Sequence, residues 1–410
     1  MSKLGDIAMQ GLELPWIVGR DRSVLRHIAD CQTERLGGNV MVCECGNREV
    51  HYNSCRDRHC PLCQGAARAR WVKARLCELL PTSYFHVVFT VPHELVSLAL
   101  TNRRIFYRTL FHCAHETLLE VCANPVNLGG RVGGMSILHT WNQKLAFHPH
   151  LHCIVPGGGV SADGTHWIPG NSNYLVSVKR LSALFRGKLL SHLERAVKLG
   201  KLHGDESVLR AALRKAGGKA FVVYAKQPFG GSAQVVKYLG RYTHRVGISE
   251  QRIISFKDQR VCYSWIDRAD GNSRKILSLS HDDFIRKFML HILPKALRKI
   301  RYFGYMANRD RTASIAQVRA LIESSMPASA VVAASSQLAG EGSTESNSLE
   351  PRRTHCSRCG LSMRVQHYGI HDTSPGWLKS QLAISRANLR TLHGPEPNQG
   401  SQPLSSRHAV

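Results

Sequence analysis

Hydrophobic and polar residues follow two periods along the chain, one typical of strands and one typical of helices. Apolar residues alternate through residues 84–92, which predicts a buried strand because successive side chains of a strand point to opposite faces. The other predicted strands are residues 133–141, 148–159, 219–226 and 253–266, the last with a turn at residues 257–259. Helical spacing or an Ala- and Arg-rich composition predicts helices at residues 65–75, 103–123, 181–200, 233–245 and 283–303. The chain is therefore predicted to be α+β.

Changes in composition divide the chain into four segments. Residues 1–78 are rich in cysteine and in basic residues, and predict a small zinc-binding, DNA-binding module. A larger domain is predicted at residues 79–323, with a basic helix, interrupted by Pro294, near its end. Residues 324–350 are rich in Ala, Ser and Gly and predict a linker, and residues 351–410 predict a loose polar tail with one CxxC pair.

The charge of the chain points to a polyanionic partner. The 410 residues include 55 Lys and Arg against 29 Asp and Glu, which gives a formal net charge of +26. Nucleic acid is the first candidate. An anionic membrane is the alternative, but no stretch reaches the ~18 consecutive apolar residues of a spanning helix. The sequence therefore predicts a cytoplasmic protein that binds nucleic acid and not a membrane.

Two close cysteine pairs near the N-terminus, one CxC and one CxxC, predict a structural Zn²⁺ site. Zn²⁺ takes four thiolates tetrahedrally from two such pairs, and its binding contributes to the folding free energy. The four predicted ligands are Cys43, Cys45, Cys60 and Cys63. The first pair is one residue shorter than a CxxC pair, which leaves Cys55 or His59 as an alternative ligand. Buried thiols without metal are the other interpretation, but such thiols rarely cluster at this spacing.

A further pair, Cys356-x-x-Cys359, lies in the predicted tail. His367 and His371 follow it closely enough to complete a second four-ligand site. A single CxxC pair in a loose segment equally fits a pair without metal.

Histidines alternate in the third predicted strand. Extended geometry sends His150 and His152 to one face, where they form a pair of metal ligands, while His148 lies at the entrance of the strand. Two imidazoles alone hold Mg²⁺ or Mn²⁺ loosely, so a third ligand is expected. Gln143 is the candidate, with His139 as the substitute. Solvated histidines at a sheet edge are the alternative interpretation.

Tyr238 and Tyr242 are four residues apart in the predicted helix at 233–245, so both phenols lie on one helical face. The neighbouring basic residues that can hold DNA phosphates are Lys237, Arg241 and Arg245. Taken alone, such a tyrosine pair more often packs in a core, and Gly240 weakens the helix by ~1 kcal/mol.

Histidines and tyrosines together form the parts of a DNA-cleaving site. Attack of a phenol on a phosphodiester makes a 5′-phosphotyrosine and frees a 3′-hydroxyl, which conserves the bond energy for later rejoining. A free tyrosine has a pKa near ~10 and is a poor nucleophile at neutral pH. A divalent ion that polarises the scissile phosphate supplies the missing stabilisation.

A long ordered stretch of the chain resembles the two-tyrosine HUH transposases of the rolling-circle insertion-sequence family. The resemblance rests on five segments: NSCRDRHCPLCQGAARARW, YFHVVFTVPHEL, LHTWNQKLAFHPHLHCIVPGGG, VVKYLGRYTHRVGIS and FIRKFMLHILPKALRKIRYFGYMANR. They span roughly residues 20–325, about three-quarters of the chain. The resemblance implies a zinc-ribbon-like N-terminal module, an HUH endonuclease domain with an antiparallel sheet flanked by helices, a helical C-terminal part and a flexible tail.

The resemblance also implies an activity. The family's metal-binding histidines correspond to His150 and His152, and its nucleophiles to Tyr238 and Tyr242. Members nick single-stranded DNA at the ends of their own element and transfer it into a short target sequence. Two alternatives stay open: a plasmid replication initiator or relaxase with the same chemistry, and a zinc-dependent DNA-binding protein without catalysis.

Overall fold

The computed structural model describes residues 2–325 and 355–369, apart from residues 172, 227–239, 241–242, 244–246 and 308. The chain forms two compact units, one of Met1–Ala29 with Arg56–Pro351 and the other of Asp30–Cys55 with Arg352–Val410. This division differs from the four consecutive segments that the sequence predicts, because the second unit takes one segment from each half of the chain.

The helices and strands have the following bounds. The helices are α1 (Lys3–Gly11), α2 (Gly19–Asp30), α3 (Gln64–Leu76), α4 (Val96–Thr101), α5 (Arg103–Ala123), α6 (Val178–Lys198), α7 (Glu206–Gly217), α8 (His281–Met289) and α9 (Arg311–Ser325). The strands are β1 (Gly38–Val42), β2 (Arg48–Tyr52), β3 (Tyr84–Thr90), β4 (Gly133–Trp141), β5 (Phe147–Pro156), β6 (Gly158–Val160), β7 (Trp167–Pro169), β8 (Val223–Lys226), β9 (Ile253–Lys257), β10 (Arg260–Asp267), β11 (Ser273–Ser280), β12 (Ile300–Gly304) and β13 (Arg364–Gly369). Among the described residues, no helix has the length and apolar content that a membrane crossing requires.

The main sheet of the first unit is antiparallel and has the strand order β12-β4-β5-β3-β8. Its three inner strands are the ones predicted at residues 84–92, 133–141 and 148–159, so these predictions are confirmed. The helices predicted at residues 103–123 and 181–200 are α5 and α6. The fold is therefore the predicted α+β arrangement, with an antiparallel sheet flanked by helices.

The two faces of the main sheet bury different sets of side chains. On one face, Phe89 of β3 and Leu151 of β5 belong to a core that includes apolar residues of α5, α6 and α7. On the other face, Ile137 of β4 and Ile154 of β5 belong to a second core with residues of α3 and α9. Each buried face contributes ~25 cal/mol per Å² of apolar area removed from water. Because both faces are anchored, the inner strands hold their register firmly.

The segment at residues 283–303 is not one interrupted helix, which corrects the prediction. Its helical part, α8, ends at Met289, and Ile300–Gly304 forms β12, the edge strand that pairs with β4. Pro294 lies between them, where the missing backbone N–H prevents a continuous helical ladder. Leu297 belongs to the core although it lies outside the helix, so buried apolar residues occur at helix-like spacing without a helix.

A smaller antiparallel sheet in the order β11-β10-β9 lies beside the loop that precedes β5. The predicted turn joins β9 to β10, and Asp258 and Gln259 have positive φ angles of 48° and 54°. Positive φ at both central residues is the geometry of a two-residue hairpin turn. The Tyr263 hydroxyl donates to the Lys144 carbonyl at 3.1 Å, which ties this sheet to the β4–β5 loop.

The second unit contains a three-stranded antiparallel sheet in the order β13-β1-β2. Strand β13 lies in the segment that the sequence predicts to be a loose tail. Its residues pair with β1, so the described residues 355–369 are ordered by a strand that is more than 300 positions distant. The predicted CxxC pair stands directly before this strand.

Buried His291 is expected to make the first unit sensitive to acid. The ring is 1% exposed, and its Nε2 donates to the Leu145 carbonyl while its Nδ1 accepts from the Thr140 hydroxyl, both at 3.2 Å. Burial, reinforced by the charges of Arg103 and Lys287, lowers the pKa of His291 to about 3. The folded state therefore keeps the ring neutral, whereas the unfolded chain takes up a proton below ~6.5.

Stability should consequently be complete above pH ~6.5 and should fall as the pH decreases towards about 3, since only the unfolded state binds the proton in this window. One such histidine destabilises the fold by roughly 2 kcal/mol at pH ~5. Denaturant unfolding at several pH values measures the effect. His291→Gln keeps a donor and an acceptor but does not titrate, so it should flatten the pH dependence; an unchanged slope would contradict the assignment.

Candidate functional site

Three histidines meet on one face of the main sheet. The antiparallel register pairs His139 of β4 with His150 of β5, and pairs Ile137 with His152. Residues that alternate along paired strands share a face, so the three imidazoles point to the same side. One ring nitrogen of each lies within 4.8 Å of the other two. The structure thus brings the predicted pair together and adds a third imidazole from the neighbouring strand.

Hydrogen bonds orient two of these rings. His150 Nδ1 lies 2.7 Å from the His148 carbonyl, and because a carbonyl only accepts, Nδ1 carries the proton and donates. His152 Nδ1 lies 2.8 Å from His86 Nε2 on β3. A second group that holds one ring nitrogen fixes the orientation and the tautomer of a metal-binding histidine. We therefore expect Nε2 to be the ligand atom of both rings.

The surroundings keep the site histidines neutral. Burial lowers the pKa of His150 to about 4 and the pKa of His152 well below its usual range. The positive charges of Arg268, in the β10–β11 turn, and of half-buried Lys299 act in the same direction on His152. Burial and the charge of Arg58 lower the pKa of Lys299 to about 7. Neutral imidazole is the form that binds metal, and the nearby cations suit a site for phosphate.

His139 is the third imidazole of the group. The sequence predicts Gln143 as the third metal ligand, with His139 as the substitute. Gln143 lies in the loop between β4 and β5, and its backbone carbonyl accepts a hydrogen bond from Arg252 Nη2 at 2.5 Å. His139 is 2% exposed and stacks on Trp141, with ring centroids 4.9 Å apart. The cross-strand register, which periodicity along one strand does not reveal, places His139 beside His150.

The donor set of the group fits a divalent transition-metal ion. Three neutral imidazoles supply three nitrogen ligands on one face of the sheet. Three protein ligands leave further coordination positions for water or a substrate oxygen, as in catalytic metal sites. The arrangement can therefore hold an ion against a phosphate oxygen.

The predicted nucleophiles Tyr238 and Tyr242 lie outside the described residues, and so do the predicted phosphate contacts Lys237, Arg241 and Arg245. Within the same segment, Gly240 and Thr243 are described, and both have helical conformation. The Thr243 hydroxyl donates to the Gly240 carbonyl at 3.1 Å. A Cβ at position 240 would overlap with Val72 of α3, so the glycine permits a close approach to that helix.

The four cysteines predicted as ligands of one zinc ion are divided between the two units. Cys60 and Cys63 lie in the first unit, immediately before α3. The group of four in the second unit consists of Cys43, Cys45, Cys356 and Cys359. Pairing of β13 with β1 brings the distant CxxC segment to the β1–β2 turn, and local spacing cannot predict such a pairing.

His59, the alternative ligand, uses both ring nitrogens in hydrogen bonds. Its Nδ1 lies 3.0 Å from Asp57 Oδ1, and the Leu293 backbone N–H donates to its Nε2 at 3.2 Å. His59 therefore connects the segment around Asp57 to the segment around Leu293. His367 and His371 are not required by the CxxC pair, because the four-cysteine group already has four sulfur atoms; His371 lies outside the described residues.

Family models and curated relatives both show that the chain is similar to transposases. A family model described as "Putative transposase" matches residues 133–313, and a model described as "Transposase zinc-binding domain" matches residues 17–91. "Putative transposase y4qJ" of Sinorhizobium fredii is 46% identical over 319 residues, which cover 75% of this chain and 79% of that protein. "Transposase for insertion sequence element IS801" of Pseudomonas savastanoi pv. phaseolicola is 31% identical over 290 residues, 68% of each chain.

Among solved structures, the conjugative relaxase TrwC in complex with oriT DNA, in its metal-bound form, matches with a TM-score of 0.21 and 12% identity. The match covers 39% of this chain and 70% of that chain.

Proposed function

Because this chain belongs to the IS91 family of rolling-circle transposases, we propose that it nicks single-stranded DNA at the ends of its element and transfers the strand through a 5′-phosphotyrosine. The observation that carries the proposal is the group formed by His139, His150 and His152 on one face of the main sheet. Packing of the sheet does not require three neutral, mutually adjacent imidazoles, whereas a metal-assisted nuclease requires such ligands.

Tyr238 and Tyr242 are the proposed nucleophiles. The phenol gives up its proton to solvent as its oxygen attacks the scissile phosphorus. The bond from phosphorus to the 3′-oxygen breaks, and the leaving oxygen takes up a proton from solvent to become a 3′-hydroxyl. The phosphate stays on the 5′ fragment as a phosphotyrosine, so the reverse attack by a 3′-hydroxyl rejoins a strand without ATP. A divalent ion at the histidines, when bound, polarises this phosphate and stabilises the charge that develops on it.

The residues around the histidines have supporting roles in this proposal. His86 fixes the ring of His152, as a positioning residue that touches neither DNA nor the reacting atoms. Arg268 and Lys299 provide positive charge that favours a bound phosphate. Lys237, Arg241 and Arg245, on the predicted tyrosine helix, are proposed to contact neighbouring phosphates.

The ligand set also bears on the choice of ion. Mg²⁺ prefers oxygen ligands in near-octahedral geometry and keeps several waters, whereas Mn²⁺ accepts imidazole more readily. We therefore propose that Mn²⁺ supports the reaction better than Mg²⁺. Zinc in the matched N-terminal domain has a structural role, and Cys60 and Cys63 are proposed to provide two of its thiolates.

The partner of this activity is DNA in the bacterial nucleoid. The net charge of +26 favours binding to a polyanion, and contacts of Lys and Arg with phosphates are independent of sequence. Recognition of the element's ends requires base contacts in addition, and single-stranded DNA exposes its bases for them.

The test uses labelled single-stranded DNA from the flanks of the gene, with Mn²⁺, Mg²⁺ or a chelator. We expect cleavage that leaves an extendable 3′-hydroxyl and a 5′ fragment covalently attached to the protein. A DNA-binding protein without catalysis would bind the strand and leave it intact. A replication initiator or relaxase would form the adduct, but would not cut at the ends of the element and transfer them to a second strand.

A further inference from the structure

Four sulfur atoms converge in the second unit at a distance that fits a shared metal ion. The Sγ atoms of Cys43, Cys45, Cys356 and Cys359 all lie within 4.8 Å of one another. Cys43 Sγ is 3.4 Å from Cys359 Sγ, and Cys45 Sγ is 3.7 Å from Cys356 Sγ. Two of these thiols are buried and two are exposed, so the group lies at the surface of the unit.

We propose that these four cysteines bind one Zn²⁺ and thereby fasten the C-terminal CxxC segment to the β1–β2 turn. Tetrahedral coordination with Zn–S bonds of ~2.3 Å places the sulfurs about 3.8 Å apart, close to the separations in this group. A disulfide requires a distance of ~2.05 Å, which none of these pairs approaches. Four thiolates and no other ligand define a closed, structural zinc site.

The backbone on both sides of the group has the shape of a metal-binding turn. The Gly46 N–H donates to the Cys43 carbonyl, and the Gly360 N–H donates to the Cys356 carbonyl, each at 2.9 Å. Both glycines have positive φ, 81° and 74°. A residue with a side chain is strained in this region, so glycine favours the tight closure of each turn behind its cysteines. The CxC pair and the CxxC pair therefore each lie in a turn that a glycine closes.

Polar hydrogens point at one of the sulfurs. Asn47 Nδ2 lies 3.3 Å from Cys356 Sγ, and the Arg358 backbone N–H lies 3.4 Å from it. Hydrogen bonds to a charged acceptor are stronger than those to a neutral one, so these donors favour a thiolate at this position. A metal-bound thiolate is the species that they suit, and a neutral thiol gains less from them.

The sheet that carries the group has a small apolar core among the described residues. Its buried hydrophobic cluster among the described residues consists of Met41, Cys43, Cys356 and Met363, so two of its four members are the proposed ligands. Units with so little core usually depend on metals or disulfides. Binding of Zn²⁺ by thiolates contributes folding free energy directly.

The proposed ion closes a long loop of chain. Cys45 and Cys356 are 311 positions apart, and the site needs both of their segments. The residues matched by the zinc-binding family model end at position 91, so the CxxC pair lies far outside them. A chain that lacks the C-terminal segment would keep only two of the four ligands, and two thiolates hold zinc much more weakly than four.

The experiment compares zinc content in the full-length chain by native mass spectrometry and elemental analysis. The double variant Cys356→Ser with Cys359→Ser should contain one zinc fewer than the wild type, and so should Cys43→Ser with Cys45→Ser. The quadruple variant should also lose one ion and not two, because both pairs hold the same ion. The matched control is Cys77→Ser with Cys262→Ser, two cysteines that belong to no metal-binding group among the described residues, and it should keep the wild-type zinc content.

A second measurement does not depend on the folding of a variant. Alkylation of the wild-type chain, followed by peptide mapping, should find the four cysteines protected together and reactive together after a chelator is added. Unchanged zinc in the Cys356 and Cys359 double variant would overturn the proposal, and so would a loss of two ions in the quadruple variant. A mass lower by the hydrogens of two disulfides, with no change on chelation, would show cystines in place of a metal site.

Discussion

Replacement of both His150 and His152 by alanine is expected to abolish strand cleavage while leaving most of the DNA affinity. The two rings supply two of the three imidazoles of the proposed metal site. Loss of the ion removes stabilisation of the phosphate in the transition state, so the nicking rate should fall at least ~10³-fold, or ~4 kcal/mol. Affinity should change little, because it depends on Lys and Arg contacts spread over the surface.

Single-turnover nicking of labelled single-stranded DNA and equilibrium binding to the same strand measure the two quantities. His148→Ala is the matched control: it removes an imidazole from the same strand, but keeps the backbone carbonyl to which His150 donates. It should cleave nearly as the wild type does. His86→Ala should lower the nicking rate by a smaller factor, ~10- to 100-fold, because it removes only a group that orients a metal ligand. Cleavage at the wild-type rate in the double variant would remove the metal site from the mechanism.

The second large effect is expected at the two tyrosines, which we propose divide the transfer reaction between them. After one phenol has captured the first 5′ end, a second strand must be cut while the protein is still covalently occupied. A neighbour on the same helical face can perform this second attack. Tyr238→Phe and Tyr242→Phe should each retain some nicking but lose complete transfer, and the double variant should form no covalent DNA adduct. Phenylalanine keeps the ring, so the loss would report the hydroxyl.

Adducts trapped on labelled DNA and mapped by peptide mass spectrometry identify the attacking residue. Tyr174→Phe, at a side chain that is 55% exposed, is the control for the loss of one hydroxyl. If Gly240 ended the helix, only one tyrosine would reach the metal, and one single variant would behave as the wild type throughout. An adduct that persists in the double variant would place the nucleophile elsewhere.

The two effects are separable. Histidine variants should lose the adduct because the phosphate is not activated, and an excess of Mn²⁺ should restore part of the activity of a single histidine variant by mass action. Tyrosine variants lack the attacking atom, so no concentration of metal should restore the adduct in the double variant. A rescue of the tyrosine double variant by metal would therefore contradict the proposed division of roles.

The sequence alone determined the features that depend on short-range periodicity. Alternation over residues 84–92 and 148–159 predicted β3 and β5, since a strand with one buried face must alternate. The same period placed His150 and His152 on one side before any neighbour was known. Helical spacing over residues 103–123 predicted α5, whose buried residues recur every three or four positions. Excess positive charge identified the class of partner, because charge is additive along the chain.

The tertiary structure decided everything that depends on which segments become neighbours. The third imidazole is His139 because the antiparallel register of β4 and β5 sets it opposite His150, and no spacing within one strand carries that register. Cys43 meets Cys359 because β13 pairs with β1 after more than 300 intervening residues. Residues 300–304 form a strand because they pair with the edge of β4 through backbone hydrogen bonds. Pairing energies of this kind arise only between segments, so a pattern read along one segment cannot contain them.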